Sequence, residues 1–310
     1  MLQVKSGADG APPDVTLIVC TYERPAALAH CLASIGELAA AAPLIAIELI
    51  VVDNSAGATA NPVFEGVEWP PNLAARLIHE PVQGLARARN AALREARGGI
   101  IACTDDDCRL QHGYFEGLAA AFAQQPGPAV MGGLVELGDT RDIEYTVRHG
   151  DTHERFHRGL VPGGFLLGCN LAFNRAAFER TGLFDTRFGA GSLFRSAEDT
   201  DYLVRAYEAG IPVIYSPQFA VSHFHGRASR AAIAAVHADY NFGNGALLAK
   251  HLRSSPWLGR QFGWLVRGCL REVVTGRRFD SKLSMSHFPV LATTLKGMRR
   301  YWTQPRGERT

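Results

Sequence analysis

Short apolar runs that stop abruptly at polar residues punctuate the first third of the chain. Residues 15–20 (VTLIVC) run into Thr21, Tyr22, Glu23 and Arg24, which predicts a buried strand with a polar end. Pro25 then opens a helical pattern through Leu28, Leu32 and Ile35, a position where proline's missing N–H does no harm. Residues 48–52 (ELIVV) predict a second strand that stops at Asp53, Asn54 and Ser55, and residues 75–78 a weaker third. Gly84 begins a helical stretch through Leu93, which Gly98 and Gly99 end before the apolar run 100–103. That run delivers three consecutive carboxylates, Asp105, Asp106 and Asp107. Strands alternating with helices predict an α/β fold with a doubly wound, mainly parallel sheet, whose ligand crevice lies beyond the carboxyl ends of the strands. Thr21, Glu23, Asp53 and the aspartate triplet all fall there.

From Gln111 onward the predicted elements are shorter and less regular. Residues 130–133 (VMGG) and the glycine-rich stretch 162–170 suggest close backbone approach or tight turns. Residues 196–201 (SAEDTD) lead into a helix with Leu203, Val204 and Tyr207 on one face, ended by Gly210. Two further short strands are expected at 213–215 and 219–221, the second running into His223 and His225. The pattern divides the chain into a first half-domain (1–110), a second half of the same domain (111–226) and a helical C-terminal appendage (227–310).

Crowded carboxylates at a strand end repel one another unless a cation joins them. Hard divalent ions such as Mg²⁺ or Mn²⁺ take carboxylate oxygens, usually beside substrate phosphate oxygens, so the triplet predicts a metal and phosphate site. The alternative for the triplet alone is an acidic surface turn. Six cysteines without CxxC pairs fit a reducing cytoplasm, and no apolar stretch is long enough to span a membrane. The net charge of +2 hides an asymmetry: residues 251–310 hold 12 Lys and Arg against 3 Asp and Glu, a balance of +9 that leaves −7 for the rest. With Trp257, Phe262, Trp264, Leu265, Phe279, Phe288, Tyr301 and Trp302 interleaved, this tail suits peripheral contact with an anionic membrane surface, or else a packed helical appendage.

Seven segments in order resemble the bacterial type of family 2 glycosyltransferase, an inverting enzyme of the GT-A fold: 15–35 (VTLIVCTYERPAALAHCLASI), 48–55 (ELIVVDNS), 84–91 (GLARARNA), the triplet, 168–178 (GCNLAFNRAAF), 182–191 (GLFDTRFGAG) and 198–205 (EDTDYLVR). The likeness covers residues 14–226. It implies a nucleotide-diphosphate sugar donor, expected to be UDP-linked, with Asp53 pairing the base and Thr21, Glu23, Arg24, Gly84, Arg89 or Arg87, Asp105 and Asp106 lining the nucleotide. It implies a divalent ion, Mn²⁺ or Mg²⁺, on Asp105 and Asp107, completed by His223 or His225, with His223 nearer the strand end. Asp199 would be the general base, and Gly133, Cys169, Asn170, Glu198 and Asp201 would shape the donor and acceptor sugar pockets. Ser196 and Asp199 also fit a helix capping box, in which Asp199 would only satisfy backbone N–H groups. The acceptor expected is a glycan or lipid-linked precursor at the inner face of the cytoplasmic membrane, and no nucleic-acid partner is expected. Competing readings are a sugar-phosphate nucleotidyltransferase, disfavoured because 21–24 lacks glycine, and a non-catalytic nucleotide-sugar-binding scaffold.

Overall fold

A computed structural model describes residues 3–4, 12–281, 283 and 285–304. The chain forms two compact units, one from residues 1–186 and 198–226, the other from 187–197 and 227–310. In the first unit the elements follow one another as β1 (Gln3–Val4), β2 (Val15–Thr21), α1 (Pro25–Ala41), β3 (Ile47–Asp53), α2 (Asn61–Glu65), β4 (Leu73–His79), α3 (Leu85–Glu95), β5 (Ile100–Asp105), β6 (Cys108–Leu110), α4 (Tyr114–Ala123), β7 (Val130–Leu137), β8 (Glu154–Arg155), β9 (Asn170–Asn174), α5 (Arg175–Thr181), α6 (Glu198–Glu208) and β10 (Val213–His223).

They build one sheet in the order β1-β4-β3-β2-β5-β9-β7-β10-β6, with β8 paired to β10. β4, β3, β2 and β5 run parallel, β9 is antiparallel to both neighbours, and β7 and β10 are again parallel. All seven residues of β2 and of β3 are buried, as strands covered on both faces must be. Leu28, Cys31, Leu32 and Ile35 of α1 pack into one core with Leu17, Val19, Leu49 and Val51.

The two short strands expected at 213–215 and 219–221 are one strand, β10. Its pairing with β7 shifts register between Tyr215 and Ala220, and Pro217, which has no N–H to give the ladder, sits in the interruption. This continuity matters for the chemistry: β10 reaches His223 in register with Cys108, next to the aspartates.

The second unit is helical, with α7 (Arg230–His251), α8 (Gly259–Thr275) and α9 (His287–Thr303). α7 and α9 approach through glycine: a Cβ on Gly245 would lie 2.0 Å from the Thr294 carbonyl, and one on Gly297 2.0 Å from the Phe242 carbonyl. Segment 187–197 packs within this unit, its Phe188 and Phe194 rings 4.9 Å apart and Phe194 5.8 Å from Tyr301. Of the basic tail, Lys282, Arg306 and Arg309 lie outside the described residues.

Candidate active site

Parallel register brings the polar stops together. Thr21 pairs with Asp53 and Cys20 with Asp105, so three strand ends converge on one edge of the sheet. Glu23 and Arg24 follow as an exposed turn in which Glu23 takes a φ of 53°, uncommon for a residue with a side chain. Thr21 Oγ1 donates to Asp106 Oδ2 at 2.7 Å, Arg24 pairs with the other Asp106 oxygen, and Arg24 Nη1 lies 2.7 Å from Asp107 Oδ2. The Asp106 side chain has no solvent exposure, and burial pushes its carboxyl up to about 7 against the opposing pull of Arg24 and Thr21. It anchors the turn after β2.

Arg89 is the largest fully buried side chain among the described residues. Its guanidinium reaches Glu198 Oε1 at 2.9 Å, Asp105 Oδ1 at 3.0 Å and the Gly168 carbonyl at 2.9 Å. The Gly168 N–H in turn donates to Asp199 Oδ2 at 2.9 Å. One cation therefore ties the end of β5 to the start of α6 through the peptide of Gly168. A Cβ at Gly168 would lie 3.0 Å from Arg89 Nη1 and 3.3 Å from Asp199 Oδ2, which leaves little room for any other residue. Burial pushes Glu198 up to about 7, with the Asp199 charge adding to it, and burial also raises Asp199, with Arg89 opposing both. Asp199 stays partly exposed, as a proton acceptor for a ligand must. Its other oxygen accepts from the Thr200 N–H at 2.6 Å, so it does satisfy one helix-terminal donor. Ser196, the other half of the expected capping box, instead donates to the Asp239 carbonyl at 2.9 Å.

On the far side of the triplet, His223 Nε2 lies 3.5 Å from Asp107 Oδ1, while Nδ1 faces the hydroxyl and carbonyl oxygens of Thr146, each at 3.4 Å. The Phe224 N–H donates to the Asp107 carbonyl at 2.8 Å, locking β10 against the triplet. Burial would raise Asp107, but His223 and Arg24 outweigh it and hold the carboxyl at about 2. Burial would lower His223, but Cys169 and Asp107 outweigh it and hold the imidazole at about 9. Among the described residues, ligand atoms of Asp107, Cys108 and His223 converge within 4.8 Å of one another. Asp107 Oδ1 is buried and accepts no hydrogen bond, so an oxygen and an imidazole nitrogen fit a divalent ion there. His225 turns instead toward Asp142, its Nδ1 3.4 Å from Oδ2.

The family model for glycosyl transferase family 2 matches residues 16–182, more than half of the chain. The chain belongs to that family. Relatives in sequence include the succinoglycan biosynthesis protein ExoM of Rhizobium meliloti, 29% identical over 203 residues that make up 64% of this chain and 63% of ExoM. An uncharacterized Mycobacterium tuberculosis protein is 29% identical over 48% of this chain and 44% of its own. The chain thus spans less than two-thirds of the length of either curated relative. Among solved structures, the mannosyltransferase PcManGT of Pyrobaculum calidifontis, in complex with GDP-Man and Mn²⁺, aligns with a TM-score of 0.59 at 20% identity, covering 97% of this chain and 80% of that one. S. aureus TarS 1-349 in complex with UDP-GlcNAc aligns with a TM-score of 0.54 at 15% identity, covering 93% and 89%. These likenesses establish the GT-A fold.

Within this family 2 frame, several side chains sit differently from their sequence expectation. Arg89, expected at phosphate or base, is 1% exposed and wholly engaged in the network above, whereas Arg87 is exposed. Gly133 and Asn170, expected in a sugar pocket, lie inside the sheet. Asn170 is fully buried and donates to the Leu134 carbonyl at 2.9 Å, and a Cβ on Gly133 would lie 2.1 Å from its amide nitrogen. Asp201 is likewise buried, paired at 2.9 Å with Arg205, which donates to the Thr181 and Leu183 carbonyls. Cys169 is 5% exposed. Asp53 is 1% exposed: Oδ1 accepts from the Ser55 N–H and hydroxyl, and Oδ2 from the Ala60 N–H. Gly84, at a φ of 144°, gives its N–H to Asn54 Oδ1 at 2.8 Å, just before α3. Asn54, Thr146 and Cys108 were not among the site residues read from sequence; each acts through a partner too distant along the chain for any local pattern to show.

Proposed function

We propose that the chain is a metal-dependent, inverting glycosyltransferase that moves a sugar from a nucleotide-diphosphate donor, UDP-linked, to a hydroxyl of a glycan or lipid-linked polysaccharide precursor. The observation that carries this reading is the Arg89 network, which fixes a partly exposed Asp199 at a set distance from the aspartate triplet. Family membership, and the nucleotide sugars bound in the PcManGT and TarS structures, support the donor class. ExoM's name supports a polysaccharide product.

In this reading Asp107 and His223 hold Mn²⁺ or Mg²⁺, with Asp105 beside them. The bound ion supplies Lewis-acid stabilisation of the departing diphosphate. Thr21, Glu23, Arg24 and Gly84 line the nucleotide, and Arg24 is free to turn from the carboxylates toward phosphate because half of its side chain is already exposed. Asp199 takes the proton of the acceptor hydroxyl, so that oxygen attacks the anomeric carbon opposite the leaving group. Its raised pKa, caused by burial, suits the task, since a more basic carboxylate holds the abstracted proton better. Arg89 and Gly168 are positioning residues: they set where Asp199 stands and touch neither substrate. The absence of glycine in 21–24 speaks against a nucleotidyltransferase.

Asp199→Asn tests the assignment. Donor binding should persist while transfer slows by about 10²–10⁴-fold, the usual contribution of a positioned base. Near-normal turnover with only a lowered melting temperature would reduce Asp199 to a helix-terminus ligand.

A further inference from the structure

Residues 182–184 belong to no strand, yet the main chain around them is held by two side chains. Asn90 of α3 does what a neighbouring strand would do: Nδ2 donates to the Phe184 carbonyl at 2.8 Å, and Oδ1 accepts from the Phe184 N–H at 2.9 Å. Asn90 is only 2% exposed. Arg205 of α6, paired with Asp201, takes the Thr181 and Leu183 carbonyls at 2.6 and 3.0 Å. The Phe184 ring then packs on Tyr202 of α6, centroids 4.7 Å apart, and lies 5.7 Å from the Arg89 guanidinium. Consecutive residues of α3 therefore reach α6 at two levels. Arg89 bonds Glu198 in its first turn, and Asn90 holds Phe184 against Tyr202 one turn further on.

We propose that Asn90 is a positioning residue for Asp199, the second of two anchors that fix the direction in which α6 leaves the site. Anchored at its first turn alone, α6 would be free to pivot there, and Asp199 would swing with it. A second anchor one turn along, about 5 Å away, removes that freedom. The residue type follows from the task, since an amide offers a donor and an acceptor side by side and so matches both groups of one peptide, which an ionised carboxylate does not. Asn90 touches no substrate; its effect on transfer comes through where the base stands, and a misplacement of about 1 Å costs about 10²-fold in rate. The consequence for transfer rests on the proposed role of Asp199 as base, while the anchoring of α6 stands on the geometry alone.

Asn90→Asp in the full chain is the test, because its side chain copies the shape of the amide and, when protonated, its donor and acceptor as well. Burial favours that neutral acid. At pH 5 the variant should match the wild type at the same pH. At pH 8 the ionised carboxylate has only acceptors and faces the Phe184 carbonyl, so amide hydrogen exchange in residues 181–186 and 198–203 should run about tenfold faster than in the wild type, with β2 and β3 unchanged. Turnover, read as UDP released from UDP-glucose with Mn²⁺, should fall about 10²-fold in kcat at pH 8 with KM nearly unchanged, and the ratio to wild type should recover at pH 5. Should the variant unfold at pH 8, Asn90→Ser, which keeps one of the two bonds at most, should show the faster exchange at both pH values. Faster exchange confined to 181–186, with 198–203 as in the wild type, overturns the proposal, as does a kcat deficit that is the same at pH 5 and pH 8. Normal turnover in Asp199→Asn would instead refute the base, and the exchange comparison, which needs no donor, would still decide the anchor.

Discussion

Each acidic side chain at the strand ends has a different burden. Asp107 is pulled down by His223 and Arg24, while Asp106, the residue just before it, is pushed up to about 7 by burial. A carboxyl whose folded pKa is raised binds its proton more tightly folded than unfolded. Its contribution is complete below the ordinary value of 3.8 and is lost as pH rises through about 7. Glu198 titrates with the same sign over nearly the same window. Wild-type stability from these two groups should therefore fall between about pH 4 and pH 7, each contributing at most about 4 kcal/mol. Asp106→Asn should flatten the slope by about half and leave the Glu198 part in place. Denaturant melts of both proteins at pH 4, 5.5 and 7 measure it; parallel curves would contradict the burial of Asp106. His223 acts at the other end, its contribution complete below 6.5 and lost as pH rises through about 9.

At the level of elements, the strands that carry the site were legible because an apolar run ending in Asp or Thr announces both a buried strand and its functional end. Residues 15–20 became β2 and 100–103 became β5 with little change of boundary. What the sequence could not reveal was the partner of each polar group. Arg89 looks like one face of an amphipathic helix until Glu198, 109 residues on, is folded against it. Asn170 looks like a pocket residue until Tyr114, 56 residues back, and the carbonyl of Leu134 enclose it. β9 illustrates the same limit, since its antiparallel insertion between β5 and β7 follows from long-range pairing and leaves no local mark. The helices of the second unit allow a sharper test. Replacing glycine by alanine inside a helix normally stabilises by about 0.5–1 kcal/mol. At Gly245 and Gly297 the added methyl would collide with carbonyl oxygens of the facing helix, and there backbone must move. Gly245→Ala and Gly297→Ala should each destabilise by about 1–3 kcal/mol. Gly263, with nothing within 4 Å of its Cβ position, is the control, and Gly263→Ala should raise the melting temperature.

For the molecule as a whole, the charge asymmetry has a physical setting. On α8, Trp264, Leu270, Val273 and Val274 are more than half exposed, with Arg267 and Arg271 on the same helix exposed beside them. On α9, Phe288, Leu295 and Trp302 recur every seven residues and stay about half exposed, with Arg299 in the same stripe. A stripe at helical period normally faces a core; left to solvent and flanked by arginine, it suits the boundary between headgroups and acyl chains. No helix among the described residues is long and apolar enough to cross a membrane. The reading is therefore an enzyme that rests on an anionic surface where a lipid-linked acceptor would be presented. Each Lys or Arg near such a surface contributes about 1 kcal/mol, and salt weakens that attraction, while the aromatic contribution is insensitive to it. Co-sedimentation with vesicles of anionic phospholipid should exceed that with neutral vesicles, fall with added salt, and drop several-fold in Trp264→Ser/Trp302→Ser. Equal failure to bind either vesicle type would make this face a protein contact and leave the active-site assignment untouched, because every residue of that site belongs to the sheet unit.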